Sequence, residues 1–200
     1  LEQEGLAVTI PRRGAQVAGM TEKDMEDVLQ IRAALDELAV QLATEQITDE
    51  QLKAILEAAN AAPACMGQYD HLHLTVVQKP EILAQINAAF QKAVGDPNMQ
   101  VTYGAPTVIY VSCKNEDEEI VKGCNAGVVM ENMLLEAADL GLGAVYLFGV
   151  SQVLFANEEI TKLLQIPEGF RTVSAIAVGT SADALQERTL GTDKISTTTL

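Results

Sequence analysis

Residues 131–149, ENMLLEAADLGLGAVYLFG, constrain the fold more than any other stretch of the chain. From Glu131 to Leu140 the apolar residues recur at helical spacing, whereas AVYLF after the glycines is continuously apolar and ends at Gly149. This pattern predicts a buried helix that leads directly into a buried strand. Glycines at such a junction allow positive φ and close backbone packing, and they also leave room for a flat ligand against the main chain. These residues alone leave both interpretations open.

The composition indicates a folded, acidic chain with an aliphatic core. Hydrophobic residues make up 48% of the 200 residues, aromatic residues 4%, and there is no Trp. The formal net charge of −15 repels phosphate backbones, so we expect no nucleic-acid binding by this chain. Three cysteines without a C-x-x-C spacing indicate reduced thiols and a cytoplasmic protein. We expect no membrane insertion, because no apolar run approaches about 18 residues.

Local sequence patterns predict a mixture of helices and strands. AVTI and AQVAG read as a hairpin around Pro11–Gly14, and a helix follows from Thr21. Thr48, with Gln51 three residues later, predicts a capping box at the start of a helix that ends before Pro63. The remaining predicted elements are strands at 71–78, 105–113, 144–150 and 172–180, and helices at 80–94, 118–140 and 157–166. This mixture predicts an α/β or α+β fold, and we favour α+β.

Five segments, in order, resemble the nitroreductase family of flavin enzymes. They are ITDEQLKAILEAANAAPACMGQ, HLHLTVVQ, YGAPTVIYVS, NAGVVMENMLLEAADLGLGAVYLFG and IPEGFRTVSAIAVG, within residues 47–200. The resemblance implies a mixed β-sheet flanked by helices, in a domain-swapped homodimer whose C-terminal tail, residues 183–200, crosses to the partner. It further implies one FMN at each subunit interface, with NAD(P)H as hydride donor and nitroaromatics, quinones or similar molecules as acceptors.

Residues 1–46 resemble a different family, the GntR-type transcription regulators. LEQEGLAVTIPRRGAQVAGMT is similar to the end of their winged helix-turn-helix, and DMEDVLQIRAALDELAVQLA to the first helix of their effector domain. We therefore expect a domain boundary near residue 46. Arg12 and Arg13 would be wing residues by this resemblance, but we favour a solvated turn over a contact with DNA.

The nitroreductase resemblance implies two groups of FMN-binding residues and two basic phosphate ligands. The backbone amides near Phe148 and Gly149 would bond the flavin near N5, while Tyr146 and Leu147 line its face. The loop APACMGQ would reach the FMN of the partner subunit, with Arg188 and Lys194 as phosphate ligands in the tail. The loop residues are Ala64, Cys65, Met66, Gly67 and Gln68.

One departure from the family concerns the FMN phosphate. Family members carry an Arg-Arg-Ser-x-Arg segment ahead of the second helix, where this chain has ELAVQLAT at 37–44. Ala39 and Gln41 stand near the serine and last arginine positions, so no cation remains there. Arg32 is a further candidate for the phosphate, and we expect weaker FMN binding or binding through the tail cations.

Other patterns are less specific. His71 and His73 alternate on a strand, but no third metal ligand stands nearby in sequence, so we assign no metal site and no catalytic side chain. Residues 91–103 are a candidate lid. Three hypotheses remain: an FMN-dependent oxidoreductase, a flavin- or ligand-sensing effector domain of a GntR-type regulator without turnover, and a dimeric scaffold that has lost its flavin. The first is favoured.

Overall fold

The computed structural model describes residues 7–10, 14–17, 23, 25–28, 46–149, 157–181, 189–192 and 194–199. The chain divides into two compact units, residues 1–43 and residues 44–200. In the first unit, β1 (Ala7–Ile10) pairs antiparallel with β2 (Gly14–Val17), which confirms the predicted hairpin. Residues 23 and 25–28 have helical backbone, in agreement with the helix predicted from Thr21.

In its described residues, the second unit contains four strands and four α-helices. Its helices are α1 (Asp49–Asn60), α2 (Pro80–Val94), α3 (Glu119–Asp139) and α4 (Glu158–Leu163). Its strands are β3 (Leu72–Val77), β4 (Thr107–Lys114), β5 (Gly143–Tyr146) and β6 (Phe170–Gly179). Two short 3-10 turns, Cys65–Gly67 and Tyr69–His71, connect α1 to β3.

The four strands form one sheet in the order β3-β4-β6-β5. All three pairings are antiparallel, so the α+β class is confirmed, whereas the expected mixture of parallel and antiparallel neighbours is not found among the described strands. The central strands β4 and β6 are almost entirely buried, and β3 and β5 form the two edges.

Helices cover both faces of the sheet. On one face, α1 and α3 pack against side chains that include Ile109, Val111 and Ile176. On the other face, α2 and α4 pack against Val108 and Ala175. These strand residues alternate between the two faces because successive side chains of a strand point in opposite directions. The core therefore lies in two apolar layers separated by the sheet.

The helix ends follow local sequence signals. The capping box of α1 is confirmed: Gln51 N–H donates to Thr48 Oγ1 at 3.2 Å, and Thr48 N–H donates to Gln51 Oε1 at 2.9 Å. Helix α2 begins with Pro80 and ends at Gly95, whose φ of 78° lies in the left-handed region that favours glycine. No helix in the described part of the chain is long and apolar enough to cross a membrane.

Candidate functional site

The junction between α3 and β5 is a Schellman motif. Gly141 has φ 72° and donates its N–H to the Ala138 carbonyl at 3.1 Å, while Leu142 N–H donates to the Ala137 carbonyl at 2.8 Å. These two bonds satisfy carbonyls that the end of a helix leaves open. Leu142 is buried, so the turn also closes the core. The backbone conformation therefore requires glycine at position 141, as predicted.

Gly143 has a different reason to be glycine from the one expected. Its φ is not positive, but an added Cβ would lie 3.1 Å from the Cβ of Ser181. Residue 181 lies just beyond the end of β6 at Gly179, so two chain segments approach closely here. Close packing, rather than positive φ, explains this second glycine.

The strand that follows the junction is shorter than predicted. Strand β5 ends at Tyr146, where we expected it to continue to 150, and Phe148 and Gly149 have helical backbone. Leu147 N–H donates to the Ala175 carbonyl at 2.7 Å, so Leu147 is still bonded to β6. The chain leaves the sheet at the next residue. The amides of Phe148 and Gly149 thus lie in the first turn of a helical segment, where N–H groups have no intrahelical acceptor. Both residues are exposed.

The loop between α1 and β3 is fixed by one side chain of α3 and by one of its own side chains. Cys65 N–H donates to Oδ1 of Asn125 at 2.8 Å, and the hydroxyl of Tyr69 donates to the Ala62 carbonyl at 3.0 Å. Asn125 is a buried residue of α3, so this bond ties the loop to the central helix. Within the loop, Met66 takes the left-handed conformation with φ 54°, which costs about 1 kcal/mol for a residue with a Cβ.

Most amides of this loop already have acceptors. Ala64 N–H donates to the Ala62 carbonyl, Gly67 N–H to the Ala64 carbonyl, and Gln68 N–H to the Cys65 carbonyl, while Cys65 N–H is bound by Asn125. Ala64 is buried, Gln68 is half-buried, and Cys65, Met66 and Gly67 are exposed. The groups that this loop can offer a ligand are therefore mainly side chains, above all Met66.

The two predicted cofactor segments lie at opposite edges of the sheet. The loop 64–68 leads into β3, whereas residues 146–149 belong to β5 and its continuation. Three strand spacings separate β3 from β5, which corresponds to about 14 Å. One subunit therefore does not bring the two segments together around a single ligand.

Only one of the cations considered for a phosphate lies in the described part of the chain. Lys194 is exposed. Arg188, Arg12, Arg13 and Arg32 lie outside the described residues, as does the segment 37–44.

The two histidines of β3 and its preceding turn have separate partners. His71 Nδ1 lies 2.7 Å from Oδ1 of Asp117, and the ring of His73 meets Phe170 edge-on at a centroid distance of 6.1 Å. Asp70 accepts a hydrogen bond from Lys114, which lowers the pKa of its carboxyl. Among the residues that the structure describes, no group of three or more His, Cys, Asp or Glu side chains is placed to hold a metal ion.

A second polar cluster lies at the start of α3. The buried Lys122 donates to the Asn115 carbonyl at 2.9 Å and to Glu119 at 3.1 Å, and Arg171 also bonds Glu119. These bonds, first that of Lys122 and then that of Arg171, lower the pKa of the Glu119 carboxyl. Nearby, burial raises the pKa of the Cys113 thiol to about 11. This cluster ties the end of β4 and the start of β6 to α3.

Asn125 and Tyr69 are site residues that no sequence motif had indicated. Both position the loop 62–71 rather than touching a ligand. An asparagine inside an apolar helical pattern was a usable signal, because a buried carboxamide needs a hydrogen-bond partner. Its partner, however, is 60 residues away along the chain.

Comparison with known proteins agrees with this architecture. The sequence profile of the Nitroreductase family matches residues 41–180. A predicted NADH dehydrogenase/NAD(P)H nitroreductase of Archaeoglobus fulgidus is 33% identical over 138 residues, which cover 69% of this chain and 76% of that protein. A protein of the same description from Methanothermobacter thermautotrophicus is 31% identical over 142 residues, which cover 69% of each chain.

Solved structures show the same fold. A nitroreductase with bound FMN from Bacteroides fragilis superposes with a TM-score of 0.65 at 25% identity, covering 77% of this chain and 89% of that one. An FMN-dependent nitroreductase from Clostridium difficile gives a TM-score of 0.63 at 25% identity, covering 77% and 90%.

The fold, the helix–turn–strand junction and these similarities define the class of the protein as an α+β oxidoreductase of the nitroreductase type. The chain belongs to the Nitroreductase family.

Proposed function

We propose that this chain is an FMN-dependent oxidoreductase that takes hydride from NAD(P)H and reduces nitroaromatic, quinone or similar acceptors. The observation that carries the proposal is the end of β5, where the exposed residues Phe148 and Gly149 have their amides in a first helical turn. Such amides bind acceptor atoms well, because they are unpaired within the helix and the helix dipole favours negative charge beside them. The nitroreductase of Bacteroides fragilis, whose structure resembles this chain, contains bound FMN.

The donor set at the end of β5 fits the edge of a flavin ring. Flavin N5 and the neighbouring carbonyl oxygen are acceptors, and two consecutive amides can donate to both. Tyr146 is exposed beside them, and Leu147 is buried and anchors the strand end to β6. When bound, FMN would supply the two-electron chemistry, accepting hydride from NAD(P)H and reducing the acceptor. The protein's part is to orient the ring and to stabilise charge near N5.

The FMN site requires two subunits in this proposal. The loop 64–68 leads into β3 and residues 146–149 end β5, the two edge strands, which are about 14 Å apart in the sheet, so the loop would serve the flavin of the partner. The exposed face of α3 supports such a dimer. Ile120 and Leu135 are 71% and 60% exposed there, and a Cβ added to Gly123 or Gly127 would meet no atom within 4 Å. A second copy of this helix could pack closely against those glycines.

The edge of β3 supports the exchange of the C-terminal tail. A cavity of about 360 Å³ beside β3 is lined by residues 73–79, by Ile82 and by residues 163–165. Among the described strands, β3 pairs only with β4, so its other edge offers unpaired backbone groups. The buried Oγ1 of Thr75 also has no hydrogen-bond partner. We infer that the polar tail of the second subunit lies along this edge.

The phosphate of FMN would rest on Arg188 and Lys194, since the segment 37–44 carries no cation. Flavin fluorescence titration tests this assignment. We expect Arg188→Ala to weaken FMN binding about tenfold or more, as loss of one charge-assisted bond implies, and Lys53→Ala on exposed α1 serves as a control for net charge. Equal affinities in the two variants would contradict the assignment.

Turnover is tested with purified protein loaded with FMN. We expect saturable oxidation of NADH or NADPH that depends on added quinone or nitroaromatic, with sedimentation at the mass of a dimer. Protein that binds no FMN, or binds FMN without oxidising NAD(P)H, would contradict the proposed reaction.

A second function is favoured by one feature, the hairpin β1–β2 in the separate unit of residues 1–43. That hairpin agrees with the wing of a GntR-type regulator, for which the second unit would sense flavin or another ligand without turnover. Measurable NAD(P)H oxidation distinguishes the oxidoreductase from this alternative.

A further inference from the structure

Two aromatic side chains stand side by side where β5 ends. Tyr146 is 39% exposed and Phe148 53% exposed. Their ring centroids lie 6.2 Å apart, and the ring planes deviate by only 10° from parallel. Burial of large apolar rings usually stabilises a folded protein, so two exposed rings held parallel suggest a binding role.

The pair lies outside the packed core. Leu147, between the two residues, is buried against the α2–α4 side of the sheet. Tyr146 stands opposite Ile176 in the strand register, so its ring points to the other side, where α1 and α3 pack. Because Leu147 and Ile176 already close both apolar layers at this point, the two rings form a rim beside the core.

The rings also flank the backbone that the proposed function assigns to the cofactor. Phe148 carries one of the two first-turn amides, and its side chain extends back over Tyr146. Parallel rings present flat faces in one orientation, and planar aromatic molecules bind such faces by offset stacking. A compact, non-planar molecule gains little from the same surface.

We propose that the Tyr146–Phe148 ring pair determines acceptor specificity, by stacking flat aromatic acceptors beside the flavin edge. This inference rests on the proposed FMN-dependent function. The side chains of Tyr146 and Phe148 would select planar over compact acceptors, whereas the backbone at the end of β5 would hold the cofactor. The net charge of −15 acts in the same direction, because it disfavours small inorganic anions as competing acceptors.

The test compares acceptors of different shape in FMN-loaded protein. The variants are Phe148→Leu and Tyr146→Leu, and the control is Phe170→Leu, which removes an aromatic ring paired with His73 on the opposite edge strand. We expect kcat/KM for a 1,4-naphthoquinone to fall about three- to tenfold in either variant, the size of one lost ring–ring contact. At equal FMN content, the loss should be larger for the naphthoquinone than for ferricyanide, and the control should leave the ratio of the two rates unchanged.

Binding without turnover provides an independent readout. By calorimetry, FMN-loaded wild-type protein should bind 1-naphthol more tightly than its fully saturated decahydro counterpart, and the Phe148→Leu variant should lose most of that difference. Equal binding of the two alcohols by wild-type protein would overturn the inference. So would FMN loss in the variants, since the rings would then hold the cofactor itself. Wild-type protein that binds no FMN would instead refute the proposed function on which the inference rests.

Discussion

Asn125 offers the sharpest test of how the site loop is held. Its side chain is 3% exposed, and its Oδ1 accepts the Cys65 N–H at 2.8 Å. Asn125→Ala leaves that amide without its partner. An unpaired, partly buried N–H costs about 2 kcal/mol of unfolding free energy. In a chain of this size, that corresponds to a melting temperature lower by about 4–8 °C.

The matched control is Asn132→Ala, seven residues later on the same helix. Asn132 Nδ2 donates to the Ala58 carbonyl at 3.0 Å, so this variant also breaks a bond between side chain and backbone, but one that holds α1. Urea unfolding should therefore show a loss of stability for both variants. Hydrogen exchange followed by mass spectrometry separates them. We expect amide exchange at Cys65 to be about 10- to 30-fold faster in Asn125→Ala and unchanged in Asn132→Ala. Identical exchange at Cys65 in both variants would refute the assigned role of Asn125.

Three further predictions concern particular residues. Gly179→Ala should lower the unfolding free energy by about 2 kcal/mol or more, because the added Cβ would lie 2.7 Å from Cδ of Pro106. Urea titration measures this loss, and a stability equal to wild type would contradict a fixed position of Pro106. Iodoacetamide at pH 8 should label the exposed Cys65 readily and leave Cys113 unmodified, because burial raises the pKa of the Cys113 thiol to about 11. Peptide mass spectra identify the labelled residue, and early labelling at Cys113 would count against its burial. Hydrogen bonds from Lys122 and Arg171 lower the pKa of the Glu119 carboxyl, so they stabilise the fold above the ordinary carboxyl pKa, and this stabilisation is lost as pH falls through the lowered value. Glu119→Gln should therefore show a smaller difference in unfolding free energy between pH 7 and pH 3 than wild type. An equal difference would contradict this pairing.

Local signals in the sequence predicted most of the elements of the second unit. The capping box at Thr48 and Gln51, the proline at the start of α2 and Gly141 after α3 each depend on residues within a few positions of one another. A pattern that is satisfied locally gives the same structure wherever the segment lies in the fold, which is why these predictions are confirmed.

The parts that the sequence analysis did not predict depend on distant residues. Gly179 is glycine because Pro106 lies against it, and Gly143 because Ser181 does. The strand after Gly143 stops at Tyr146, although AVYLFGV is apolar to its end. An apolar run indicates which residues are buried, but it does not indicate where the chain leaves a sheet. The separation of the two cofactor segments across the sheet likewise depends on strand order, which no local pattern contains.

The measurement that tests the central claim most directly is FMN titration, followed by flavin fluorescence, of wild-type, Phe148→Ala and Phe148→Pro proteins. Proline at the first helical position fits the backbone conformation and removes both the ring and the amide hydrogen, while alanine removes the ring and keeps the amide, so the difference between the two variants isolates the amide. We predict saturation at one FMN per subunit for wild type and Phe148→Ala, and a large loss of affinity for Phe148→Pro. Equal FMN affinity in all three proteins would contradict the claim that the backbone at the end of β5 holds the flavin.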